Sequence, residues 1–423
     1  MNKALALTLL AAACGASFAQ TPANTVTLYG IVDAGISRVS GLKQGTDTAL
    51  VSGIMEGSRF GLRGNEDLGG GWRAIFTLEN RTELNNGTLS NRPPSGSQVP
   101  DRLNQLPLLG IPSTLLGSAA VTQGAVNNVA ASIGSGVGVN LANGFWDRQA
   151  YVGLVTPVGA ILAGRQYTPA YEINATFDTL GTQSGLSAGQ VGSLPSSVDI
   201  RLSNAVQYRI QVGGITAGAM YAFGGVTGNN KASRFGGAMA MYKGAGFSAG
   251  IGYNQRNNEL GEKSLTSLAI GGSLDLGPGK VSALYGQIKD DHPTGLSTIP
   301  AALIAGGVPG AAANFIQSAF INALKQDARL MHVGYKLETG PNTFYVAYSS
   351  YNDRKAINAD VASYGVAYSY ALSKRTDLNA VLVRFDNKGT GQAAPGQAGS
   401  LGGVTASAGT DSTGLAFGIR HRF

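Results

Sequence analysis

The stretch Ser412-Thr413-Gly414-Leu415-Ala416-Phe417-Gly418-Ile419-Arg420-His421-Arg422-Phe423 decides the fold of this chain. In an extended strand Leu415, Phe417, Ile419, His421 and Phe423 share one side, and Ala416, Gly418, Arg420 and Arg422 share the other, because side chains alternate with period two. One face is apolar, the other small or cationic. Such a strand suits a closed barrel in a membrane. Its outer face meets lipid, its inner face meets water, and pairing of the last strand with the first leaves no open edge.

The other end carries an export pattern. Met1-Asn2-Lys3 is positive, Ala4 to Ala13 is apolar, and Ser17-Phe18-Ala19 puts small residues at a cleavage site. This reads as a secretory signal over 1–19, followed by the barrel over 20–423. The apolar run is too short to span a membrane as a helix. Cys14 offers a rival reading as a lipoprotein acceptor, but Ala11 stands where such signals carry Leu. Cys14 is the only cysteine, so the exported chain has no disulfides, no thiolate metal site and no cysteine nucleophile. A closed hydrogen-bonded ladder holds a barrel without them.

Composition agrees. Charged residues make up 13 %, against about 25 % in globular domains. Glycine occurs 62 times in 423 residues, about twice the usual share of roughly 7 %. No later stretch reaches about 18 apolar residues, so no spanning helix is expected. A membrane barrel, a secreted solenoid and an adhesin remain. A solenoid needs a fixed short repeat, and the chain shows a hairpin rhythm with uneven loops instead.

That rhythm gives sixteen strands, near the roughly 9–11 residues of a tilted crossing. Val26, Leu28, Val32 and Ile36 alternate with Thr27, Tyr29, Asp33 and Ser37, and Trp72, Ala74, Phe76 and Leu78 oppose Arg73, Thr77 and Glu79. Seven tight turns rich in Gly and Pro, from Glu66-Asp67-Leu68-Gly69-Gly70 to Leu372-Ser373-Lys374-Arg375, alternate with eight longer connections. The longer ones lie near 38–55, 84–146, 167–201, 225–232, 257–261, 290–326, 353–359 and 387–411. Short turns on one side and long loops on the other are the habit of transmembrane barrels. About sixteen strands leave an aqueous lumen. Tyr221, Phe223, Tyr253, Tyr348 and Tyr351 suit aromatic girdles at the two interfaces.

Several motifs resemble Gram-negative general porins of the β-proteobacterial type. They are Thr27-Leu28-Tyr29-Gly30-Ile31-Val32-Asp33-Ala34-Gly35, then Gly57-Ser58-Arg59-Phe60-Gly61-Leu62-Arg63-Gly64 with Glu66-Asp67-Leu68-Gly69-Gly70-Gly71-Trp72, and the closing Gly418-Ile419-Arg420-His421-Arg422-Phe423. The resemblance covers essentially the mature chain. It implies an all-β, 16-stranded antiparallel transmembrane barrel with short periplasmic turns, long extracellular loops and an inward-folded third loop. It implies a homotrimer in the outer membrane, in contact with outer-membrane lipids and lipopolysaccharide and inserted by the assembly machinery, which reads Phe423 as a signal. The expected cargo is small hydrophilic solutes and anions.

The family's constriction sets wall arginines against acidic or polar groups on the third loop. By motif position, Arg59, Arg148 and Arg201 resemble the wall arginines, and Asp178 is the central carboxylate of the loop from Tyr167 to Asp199. Arg63 lies one pleat from Arg59, and Glu79 faces inward on the third strand. Unpaired guanidiniums in a narrow low-dielectric lumen concentrate anions, and arginine keeps its charge at any relevant pH. The competing reading makes each a surface charge or one neutralised by a neighbour. Strict alternation puts Arg148 with the outward Val152 and Leu154, so a bulge is needed to turn it inward.

The loops at 84–146 and 290–326 depart from the family pattern. The first contains Pro93-Pro94 and Pro107-Leu108-Leu109; the second contains Ala301 to Ala305 and Phe315 to Leu324, read as a short amphipathic helix. Three roles are open to loops this long: covering the mouth, touching a neighbouring subunit, or forming a variable surface. Catalysis has little to stand on. His292, His332 and His421 are dispersed without metal or triad spacing, so no enzyme activity, cofactor or metal is expected. Gly134-Ser135-Gly136-Val137-Gly138 lacks the strand–helix context of a phosphate site. The net charge of +7 is spread rather than patched, so nucleic acid is not an expected partner.

Overall fold

The computed structural model describes residues 24–89, 99–134, 144–181, 184–191, 199–396 and 403–423. The expected signal over 1–19 with Cys14, the Pro93-Pro94 pair and Ser135 to Gly138 lie outside them. Seventeen strand segments follow one another in antiparallel order: β1 (Thr25–Leu42), β2 (Gly45–Ser52), β3 (Arg59–Gly69), β4 (Trp72–Arg81), β5 (Gln149–Thr156), β6 (Gly159–Tyr167), β7 (Arg201–Val212), β8 (Ile215–Ala222) and β9 (Phe235–Lys243). Then come β10 (Phe247–Asn257), β11 (Lys263–Leu276), β12 (Gly279–Asp290), β13 (Gln326–Thr339), β14 (Asn342–Asp353), β15 (Val361–Ala371), β16 (Thr376–Asn387) and β17 (Ser412–Arg422). They make sixteen crossings, because β2 and β3 are two parts of one. Residues 25–31 of β1 pair with β3, and residues 34–42 pair with β2.

The interruption between β2 and β3 is built around Asp33. Its buried carboxylate accepts the N–H groups of Ile54, Met55 and Glu56 at 2.8–2.9 Å, so these amides leave the ladder without being orphaned. The connection expected over 38–55 is therefore corrected. Its first part is strand, turning at Lys43-Gln44.

Closure runs through β1 and β17, from Ile31 opposite Arg422 to Ser40 opposite Thr413. Phe423 and Gly30 exchange two backbone hydrogen bonds of 3.1 Å. A Cβ at Gly30 would lie 2.3 Å from Cζ of Phe423, so only glycine admits that ring. Leu28, Ile36, Val152, Ile161, Phe417 and Ile419 are exposed on the outside, where lipid rather than water is the neighbour. Tyr221, Phe223, Tyr253 and Tyr348 also face out. Tyr351 does not. It shares the parity of Ser349, is 6 % exposed and points into the lumen, so its place in a girdle is corrected.

The third long loop turns inward after β6 and begins with α3 (Pro169–Phe177), a helix with proline in its first turn. It lies along the inner wall of β9–β12 in a groove of glycines. A Cβ at Gly271 would come within 2.4 Å of the Phe177 ring, and one at Gly250 within 2.8 Å of Ile173. The loop is tied down at both ends of that groove. Asn254 accepts the Ala170 N–H at 3.0 Å and donates to Thr168 at 2.9 Å. Further on, ahead of the single-turn α4 (Ala188–Val191), His332 Nε2 accepts the Thr179 N–H at 3.0 Å, while its Nδ1 meets Ser349 Oγ at 2.8 Å.

The loop after β12 holds α5 (Ile299–Ala305) and α6 (Gly310–Leu324), the latter extending the helix expected from Phe315 to Leu324. The loop after β4 holds a short 3-10 turn over Asp101–Leu103, α1 (Leu106–Leu109) and α2 (Ala119–Gly134). The 16-residue α2 carries no charge or strong amphipathic stripe; packing against the other loop, rather than propensity, accounts for it.

Candidate functional site

An arc of cationic side chains lines the lumen from β17 past β1 to β3, β4 and β7, each placed by strand parity, with Arg148 just ahead of β5. Arg59 lies opposite Ile31 and Arg81, and Arg201 lies opposite Tyr167, all on inward-facing positions. Arg59, Arg148 and Arg201 are 2–7 % exposed. Arg148 faces inward without a bulge. It precedes the first residue of β5, its N–H donates to the Glu79 carbonyl at 3.2 Å, and strand alternation does not yet apply there.

Glu79 and Tyr167 knit the arc together. Arg148 Nε donates to Glu79 Oε1 at 2.7 Å, and the Tyr29 hydroxyl donates to Glu79 Oε2 at 3.0 Å. The Tyr167 oxygen accepts from Arg148 at 3.1 Å and from Arg201 at 3.0 Å. The Arg201 guanidinium also lies 4.5 Å over the Tyr167 ring, and that of Arg63 lies 3.8 Å over Tyr29. Ring faces carry partial negative charge, so they orient a guanidinium without cancelling it.

A second node forms where the strand is interrupted. The turn that Asp33 holds projects Glu56 inward, where it pairs with Arg59 at 2.8 Å, Arg420 at 2.9 Å and Arg422 at 2.8 Å. Asp377 of β16 pairs with Arg420 and Arg422, both at 3.0 Å. Four guanidiniums, those of Arg59, Arg148, Arg420 and Arg422, thus pair with three carboxylates, Glu56, Glu79 and Asp377, and a fifth, that of Arg201, joins them through Tyr167. The arc keeps an excess of positive charge.

Of the residues expected at the constriction, Arg59, Arg63, Arg148, Arg201 and Glu79 come together. Asp178 sits apart from them. Its carboxylate accepts the Leu180 N–H at 2.8 Å and the Ala188 N–H at 2.6 Å, so it shapes the third loop from within. The loop's acids that meet arginines are Glu172, bidentate to Arg209 at 2.7–2.9 Å, and Asp199, 2.7 Å from Arg256. Burial pushes the Asp199 carboxyl up, and Arg256 opposes that.

Sequence reasoning missed Tyr29, Tyr167 and Glu56. Tyr29 shares the parity of Asp33 and was within reach of the pattern. Tyr167, expected as the first residue of the third loop, is the last residue of β6, and Glu56 lies where no period applies. Arg420 and Arg422 were seen to face inward but not to meet the others. Among the described residues no group of three His, Cys, Asp or Glu is placed to hold a metal.

A family model described as Gram-negative porin matches residues 6–390. Outer membrane porin protein 32 of Delftia acidovorans is 25 % identical over 443 aligned positions, covering 100 % of both chains. An outer membrane porin protein of Bordetella pertussis is 26 % identical, with 99 % of each chain covered. Among solved structures, an anion-selective porin from Comamonas acidovorans superposes with a TM-score of 0.66 at 23 % identity, over 95 % of this chain and 100 % of that one. A trimer form of OmpT from Vibrio cholerae gives 0.58 at 12 % identity, over 95 % and 100 %.

Proposed function

The chain belongs to the Gram-negative porin family, and from that premise we propose that it is a homotrimeric diffusion channel whose arginine arc makes it prefer anions. It is an outer-membrane β-barrel porin that passes small hydrophilic solutes. The observation that carries the anion preference is the sharing of Glu56, Glu79 and Asp377 among four arginines, with Arg201 added over Tyr167. A fixed surplus of guanidinium charge in a lumen narrowed by the third loop concentrates anions and repels cations. Arg59, Arg63, Arg148, Arg201 and Glu79 form the constriction in this reading, with Asp178 shaping the loop. The anion-selective porin among the structural relatives is in keeping with it.

The rest of the reading follows the family. Residues 1–19 are a cleaved export signal, and Phe423 is the assembly signal. Three copies associate in contact with lipid and lipopolysaccharide. The chain catalyses nothing and holds no cofactor. His332, the one histidine on the lumen wall beside a serine, is spent on the third loop. The test is the reversal potential of the refolded protein in a KCl gradient across a planar bilayer, with swelling of sugar-loaded liposomes alongside. Chloride preference with sugar uptake supports the reading; cation preference removes the role of the arginine arc.

A further inference from the structure

We propose that the helices of the second and sixth outer loops form a cap across the mouth, whose uncharged span is a size filter in series with the arginine constriction. This rests on the channel reading above. The first observation is topological. The second loop is rooted between β4 and β5 and the sixth between β12 and β13. With β2 and β3 counted as one crossing, these roots lie eight barrel positions apart in either direction. They stand half a circumference apart. Loops that start on opposite rims and share a core must meet over the opening.

They do share one. Leu103 and Val126 from the second loop and Ile316 and Phe320 from the sixth are fully buried members of one hydrophobic cluster, separate from the cluster inside the barrel. Burial of this kind is not made by loops that merely brush past one another.

The cap is also bolted to the rim. Asp101 pairs with Lys43 at 2.9 Å, and its N–H donates to Gln392 Oε1 at 2.6 Å. Arg102 lies 3.9 Å from Asp353, and Lys355 donates to the carbonyls of Ala323 and Lys325 at the end of α6. The first, seventh and eighth outer connections therefore all hold it in place. It is a fixed cover, not a flap.

Its chemistry differs from the lumen beneath. Between Arg102 and Asp147 there is no Asp, Glu, Lys or Arg, and none between Asp291 and Lys325. A neutral cover has no means of choosing between chloride and potassium, since sign discrimination needs fixed charge near the path. It can only exclude by size. Entry and charge selection are thereby divided between two places in one molecule.

The experiment compares the refolded wild type with two variants. One replaces residues 293–324 with a short Gly-Ser linker. The other, Phe320→Asp, puts a charge into the cap core, which that core has no partner to accept. Each is checked for folding by heat-modifiable mobility on gels, then measured for single-channel conductance, liposome swelling with sugars of rising size, and reversal potential. The expected result is a several-fold rise in conductance and a larger sugar cut-off, with chloride preference unchanged. Folded variants with unchanged conductance and cut-off would overturn the proposal, as would loss of chloride preference, which would put charge selection in the cap. A silent wild type beside conducting variants would make the cap a plug rather than a filter. A wild type and variants that are all silent would remove the channel reading itself.

Discussion

The Nε of Arg148 donates to Oε1 of Glu79 at 2.7 Å, and both side chains are buried to within a few per cent. Removing one partner of such a pair leaves the other desolvated without compensation, at a cost of about 3–5 kcal/mol. Glu79→Gln should therefore lower the temperature at which the folded band disappears from a gel. It should also raise chloride preference, because the arc loses one of its shared carboxylates. A variant with wild-type heat resistance and selectivity would show that this pair holds nothing.

The groove that seats the third loop makes a compensating pair. Gly271→Val drives a side chain into the Phe177 ring, and overpacking of this sort costs about 1–3 kcal/mol. The expected result is faster protease cleavage within 169–191 and noisier current. Adding Phe177→Ala should restore quiet current. Equal damage in single and double variants would mean that the helix is seated by something else.

Closure depends on the contact of Phe423 with Gly30. Phe423→Ala keeps the paired backbone bonds but loses the ring, and Gly30→Leu evicts the ring while keeping Phe423. Both should lower the folded fraction recovered from detergent refolding. If only Phe423→Ala lowers yield, and only in cells, the residue serves recognition during assembly rather than closure.

Glu259 links the fifth and sixth outer connections by accepting the N–H groups of Gly295 and Ser297 at 3.0–3.1 Å. Partial burial works against its charge, but these amide bonds win and hold its pKa below the usual carboxylate value. A depressed carboxylate stabilises above its unfolded value of about 4.3 and loses that contribution as pH falls through the folded value. Exchange protection of the Gly295 and Ser297 amides, corrected for intrinsic rates, should fall below about pH 4.3. In Glu259→Gln it should be lower throughout and flat with pH. Equal pH dependence in both proteins would assign the effect to another group.

Much of the barrel was legible because lipid enforces a strict period. Where one face must be apolar and the other wet, sixteen crossings and the inward parity of Arg59, Glu79 and Arg420 can be read directly. The failures fall where the period stops. Asp33 breaks the second crossing by capturing three amides, so no continuous period sets the strand before the break apart from a loop or points to Glu56 as a constriction acid. Arg148 needed no bulge because it stands one residue ahead of its strand. Tyr351 was judged on residue type when its parity with Ser349 already placed it inside. In the outer loops the cap depends on one cluster that gathers residues about 200 apart in the chain, such as Leu103 and Phe320, and no local pattern announces such a cluster.

The most direct measurement is the reversal potential in a KCl gradient of the wild type beside Arg59→Ala combined with Arg201→Ala. A unit charge about 6 Å from an ion path in water contributes about 0.7 kcal/mol, which salt roughly halves; because it acts in opposite senses on chloride and potassium, the effect on the permeability ratio is roughly threefold. Two removed charges should therefore lower chloride preference by about tenfold, with the barrel still folded and conducting. A wild type that prefers potassium, or a double variant whose reversal potential matches the wild type, would contradict the arginine constriction.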